Sequence, residues 1–151
     1  FQILLETDRG FENATPLEKE VKAKATGAYF LFSSPNSWQD SFIVHLENPD
    51  EIQQARRALG EDQPKILIAD IAPSTENWNR PLAGLDRLPW SWSVKKFYKF
   101  ADFSHISCDG TPSLVEERLI SRLKFSRICF WHVHISRELS YDEVISGDLS
   151  P

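Results

Sequence analysis

Methionine is absent from this 151-residue chain, and glycine (6) and cysteine (2) are scarce. Each shortage narrows the possibilities. Six glycines leave little room for a phosphate-cradling loop, and no G-x-S-x-G or HExxH stretch occurs. No cofactor-binding motif is present, so no cofactor is expected. Two cysteines, Cys108 and Cys129, are too few to build a disulfide framework and lack zinc spacing, but they permit one bridge. No apolar run approaches the ~20 residues that a membrane-spanning helix needs. Lys and Arg (17) are scattered among Asp and Glu (22), so the net charge of −5 offers no phosphate-tracking surface and argues against nucleic acid.

What is present describes a globular protein: 41% apolar and 26% charged residues, in a length that suits one hydrophobic core. Asn13-Ala14-Thr15 is a glycosylation sequon. With the cysteine pair, and with Phe1 readable as the end left by a removed leader or as a plain boundary, it leans towards an extracellular location.

Residues 1–26 read as an N-terminal arm. Val21, Ala23 and Ala25 alternate with lysines as in an edge strand, whereas Glu18/Lys22 and Glu20/Lys24 have helical spacing, and both readings stay open. Residues 27–34 (GAYFLFSS) and 41–47 (SFIVHLE) predict a hairpin. Residues 48–60 predict a helix with Asn48 as N-cap, Pro49 at the first position, Glu51 closing a capping box and Gly60 at the end. KILIADI (65–71) reads as a central strand, and WSWSV and KFYKFADFSHIS as two further strands. The stretch 109–123 predicts a second helix, capped by Thr111 or Ser113, with a Ser113/Glu116 capping box and a Val115, Leu119, Leu123 stripe. RICFWHVHI (127–135) reads as one closing strand, followed by a peripheral tail. The expectation is an α+β domain with an antiparallel sheet of about five to six strands and two helices on one face. Residues 27–139 would form the domain and 140–151 the tail.

The order of AYFLF, FIVHLENPDEIQQARRAL, PWSWSV, CDGTPSLVEERL and CFWHVHISREL, across residues 28–139, resembles a family of small domains. That family is described as the N-terminal domain of a slime-mould calmodulin-binding protein. The resemblance implies a compact, often extracellular domain with no established catalytic mechanism, and it does not make calmodulin a partner. Both cysteines match family positions, which implies a Cys108–Cys129 disulfide. His132 and His134 depart from the family pattern, so no role passes to them.

Several residues are candidates for function. His132 and His134, two apart on the predicted last strand, project to one side and would supply two nitrogens to a metal. Third ligands would come from His45, His105 or Asp102, none with diagnostic spacing, and the plainer reading is two imidazoles on a sheet surface. Cys108, just before a helix and near His105 or His132, would suit a reactive thiol, against which stands the disulfide. Asp102, Asp109 and Glu116 are candidate acid–base carboxylates, though a turn and a capping box explain the last two. Trp90, Trp92 and Trp131, with Trp38 and Trp78, would suit a sugar-stacking platform; Trp38 and Trp78 lie in polar stretches, where exposure would mark a contact surface. The proline-rich segment 73–89 presents Arg80 and Arg87 in the manner of an inhibitory loop entering a protease pocket. The expected function is a non-enzymatic extracellular binding module, in the form of a protease inhibitor using Arg80 and Arg87 or of a lectin using Trp38 and Trp78. A metal-dependent hydrolase through His132 and His134 is the enzymatic alternative.

Overall fold

The computed structural model describes residues 23–35, 38–63, 65–81, 88–102, 109–121 and 127–147. Seven strands and three helices follow one another as β1 (Ala28–Ser33), β2 (Phe42–Leu46), α1 (Pro49–Leu59), β3 (Ile66–Pro73), β4 (Trp92–Ala101), β5 (Asp109–Gly110), α2 (Pro112–Ser121), β6 (Arg127–Phe130), β7 (His134–Leu139) and α3 (Tyr141–Ser146). The α+β class holds. The expected single sheet does not: the strands divide into a three-stranded sheet, β2-β1-β7, and a four-stranded sheet, β4-β3-β6-β5.

The first sheet is built around β1, whose six residues are all buried. Phe30, Phe32, Phe42 and Val44 face the second sheet, meeting Leu67, Ala69, Ile71, Trp92 and Phe130 in the main core. Tyr29, Leu31 and Ile43 point the other way, into a smaller cluster with Trp78, Leu139 and Val144. A strand covered on both faces loses the apolar–polar alternation and reads as a continuous apolar run, as AYFLF does. The helices are therefore not on one face. Ala55 and Ala58 of α1 join the main core, whereas Val144 of α3 belongs to the opposite cluster.

Local signals place α1 well: Asn48 Oδ1 accepts from Asp50 N at 2.8 Å and Glu51 N at 3.3 Å, with Pro49 at the first helical position. A reciprocal capping box forms at α3, where Ser140 and Glu143 exchange bonds. That helix, with Val144 1% exposed, corrects the expected peripheral tail from residue 140 as far as Gly147. The stretches 90–94 and 96–102 also join into the single strand β4, bulged against β3 at Lys95 and Tyr98. At α2, Val115 is buried as expected; the side chain of Leu119 and all of Leu123 lie outside the described residues.

The most consequential correction concerns 127–135. This is not one strand. β6 pairs with β3 in the second sheet, the chain turns at Trp131 and His132, and β7 pairs with β1 in the first. Phe130 and Val133 are both fully buried on either side of the turn. Alternation was a poor guide because both flanks feed one core shared by two sheets.

Candidate functional site

The sheet-to-sheet turn assembles a small polar hub under an exposed aromatic. His132 Nε2 lies 3.1 Å from Asp40 Oδ2, with only 18% and 14% of the two side chains exposed. An ionised carboxylate only accepts, so Nε2 carries the proton of this contact. The other oxygen of Asp40 accepts from Ser113 N at 3.1 Å and from the Ser113 hydroxyl. Asp40 ends a short 3-10 turn, Trp38–Asp40, and from there holds the start of α2 and the turn after β6 together. Its negative charge at a helix N-terminus is favourably placed. Thr111 adds a local cap, accepting from Leu114 N at 3.2 Å.

Ser113 does not form the expected capping box with Glu116. Glu116 reaches instead to the strand side, accepting from Ser91 N at 2.9 Å and Ser91 Oγ at 2.7 Å. The order Ser113–Asp40–His132 puts the carboxylate between hydroxyl and imidazole. The histidine therefore does not meet the serine oxygen, and the arrangement positions elements without activating a nucleophile. Above it, Trp131 is 51% exposed, its ring 5.0 Å from that of His132.

His134 opens β7 rather than sharing a strand face with His132. Burial pushes its imidazole below the usual range, opposed by a backbone hydrogen bond with Lys65 and reinforced by the nearby His132. Among the described residues no group of three or more His, Cys, Asp or Glu is arranged to hold a metal ion. His45 stacks on Tyr29 with ring centroids 4.3 Å apart, and its Nε2 is 2.8 Å from Thr26 O. Asp102 is exposed and paired with Lys65 Nζ at 2.5 Å. His105, Cys108, Arg87 and Asn13 lie outside the described residues, as do the side chains of Trp38 and Asp109. Cys129 is fully buried with its sulfur in a disulfide, so it is not a free thiol.

The segment after β3 differs most from expectation. Trp78 and Arg80 are each only 4% exposed, and Asn79 is completely buried. Trp78 packs edge-on to Tyr29 at 5.4 Å. Asn79 joins the two sheets: its Oδ1 accepts from Ile43 N at 2.8 Å, and its Nδ2 donates to Trp92 O at 2.9 Å. Arg80 donates to Asn77 O at 3.1 Å and packs so closely on Gly147 that a Cβ there would lie 2.3 Å from its Nη1. Gly147 has φ +72°, a conformation glycine adopts without strain. Trp78 and Arg80 are thus anchors and not presented side chains, because a tryptophan and an amide that satisfy the outer sheet and its edge cannot also face solvent. Trp92 is likewise core, and Trp90 is half-buried, donating through Nε1 to Ser41 O at 3.0 Å.

Sequence reasoning missed Asp40 altogether. Its partners stand 73 and 92 residues away, and no local spacing announces it.

Among the described residues, no helix is long and apolar enough to cross a membrane. No curated protein and no solved structure matches the chain. The family whose model matches is the calmodulin-binding-protein N-terminal domain, over residues 26–142, from just before β1 to the first turn of α3. That span takes in both sheets, and the chain belongs to this N-terminal domain family.

Proposed function

We propose that this protein is a non-enzymatic extracellular binding module whose contact point is Trp131. The observation that carries the reading is a half-exposed tryptophan on a turn whose neighbours Phe130 and Val133 are fully buried. A large aromatic held on a rigid base loses little freedom when it meets a ligand, and tryptophan is prominent among residues that dominate binding energy. Its flat face with a polar edge suits a sugar ring or a protein surface. The Asp40–His132–Ser113 hub supports the turn from below.

An oxidising compartment is supported by the disulfide at Cys129. We assign its partner as Cys108: Asp109 is the register partner of Cys129, which brings the adjoining residue 108 within one chain step of it. Asn13 is the corresponding candidate for glycosylation. A labelled full-length chain applied to a glycan array tests the lectin form, with hits expected for the wild type and lost in Trp131→Ala. An array without hits, or hits that persist in the variant, contradicts it.

The protease-inhibitor form now rests on Arg87, since Arg80 is buried. It is favoured by the closed neck of its loop, where Trp90 N donates to Asn79 O at 2.8 Å, and by Leu88 at 47% exposure. Titration of a trypsin-like enzyme should show inhibition that disappears in Arg87→Ala; no inhibition at micromolar protein removes this form.

A further inference from the structure

A second surface lies on the outer face of the four-stranded sheet, along its edge strand β4. Register puts Lys96 opposite Asp70 and Lys99 opposite Ile68, with Tyr98 bulged between them. Across β3, Arg127 is also opposite Asp70 and donates to it through Nε at 3.0 Å. The Arg127 guanidinium stacks 4.1 Å from the Tyr98 ring centroid, and Lys99 Nζ lies 5.8 Å from the same centroid. Tyr98 is 50% exposed, and Lys96 and Lys99 are exposed. Neither lysine forms a salt bridge among the described residues, so Asp70 is the only carboxylate paired within this patch and it is engaged by Arg127.

We infer that this face binds a sulfated glycan through Lys96, Lys99 and Arg127, arranged around Tyr98. The protein carries a net charge of −5, so a cationic strip on it is a local feature and not the overflow of a basic composition. An extended acidic peptide added as a further strand fits less well, because bulges at Lys95 and Tyr98 break the ladder on the edge strand it would need. Nucleic acid fits less well again, since its dense phosphates are matched by longer runs of cations than these three. A chain with separated sulfates and sugar rings meets the separated cations and the open aromatic together.

The inference is independent of Trp131, and the experiment keeps the two apart. The full chain is titrated against immobilised chondroitin sulfate at several salt concentrations, with poly-glutamate and single-stranded DNA as comparators. Wild-type protein is expected to bind the sulfated glycan in preference to both comparators, with affinity falling as salt rises. Lys96→Gln/Lys99→Gln should weaken binding and reduce the log–log salt slope by about one per lysine removed. Trp131→Ala, and Arg57→Gln as a loss of positive charge elsewhere, on α1, should leave it unaltered. Absence of wild-type binding, equal binding of poly-glutamate or DNA, or full binding by the double lysine variant would overturn the assignment.

Discussion

Two irregular stretches of this chain each carry a tryptophan, and the fold uses them in opposite ways. In residues 74–81 the tryptophan is buried against Tyr29, the asparagine beside it bridges the sheets, and the arginine after that clasps the end of α3. In residues 131–133 the chain crosses between the same two sheets, yet Trp131 is left half in solvent. The difference lies in what surrounds them. The first stretch runs over the outer face of the β2-β1-β7 sheet, where Tyr29, Leu31 and Ile43 require a cover. The second leaves a core already filled by Phe130 and Val133. One connector completes the fold, and the other is free to make contact outside it.

Substitutions should separate these roles, and the largest effect belongs to the buried connector. Trp78→Ala empties the centre of the smaller cluster and is expected to cost about 3–5 kcal/mol in urea unfolding. Asn79→Ala strands Ile43 N and Trp92 O without their partner, an expected loss of about 2–4 kcal/mol from two buried groups. If either variant unfolds at the wild-type midpoint, the connector is not the stitch described here. Asp40→Ala removes a cap on α2 and the partner of His132, for about 1–2 kcal/mol, with early loss of protection at the start of α2 in hydrogen exchange.

Acid sharpens the comparison further, because it acts near the exposed connector and at α3. Burial lowers the His134 imidazole below 6.5, so the folded state favours its neutral form. Its contribution is complete above pH 6.5 and is lost as pH falls through the folded value. Glu143 is held down at about 2 by the Arg137 guanidinium, 2.8 Å away, and then by the backbone of Ser140. Its contribution is present above pH 4.5 and fades as pH falls towards about 2. Since 35% of that side chain is exposed, solvent screening limits the loss to on the order of 1 kcal/mol. Stability measured against pH should therefore fall in two steps, with the lower one absent in Glu143→Gln.

Much of the local structure was legible in the residues. Asn48-Pro49 marked α1, and the apolar runs of β1 and β3 marked central strands, because capping and periodicity are properties of neighbouring residues. The division into two sheets was not legible. Phe130, Val133 and Ile135 all enter one core, so the sheet switch at Trp131-His132 leaves no mark in the pattern of apolar types. The placement of Trp78 and Arg80 was misread for a related reason: a polar, proline-rich stretch signals a connector but not what it covers. Asp40 was silent because its role exists only through distant partners.

The division of labour between the two connectors is tested most directly by urea unfolding of Trp131→Ala beside Trp78→Ala. An exposed side chain that contributes contact and not packing should leave stability within about 0.5 kcal/mol of wild type, while the buried one falls by several times that amount. A Trp131→Ala variant as unstable as Trp78→Ala would contradict the account, since both tryptophans would then belong to the fold.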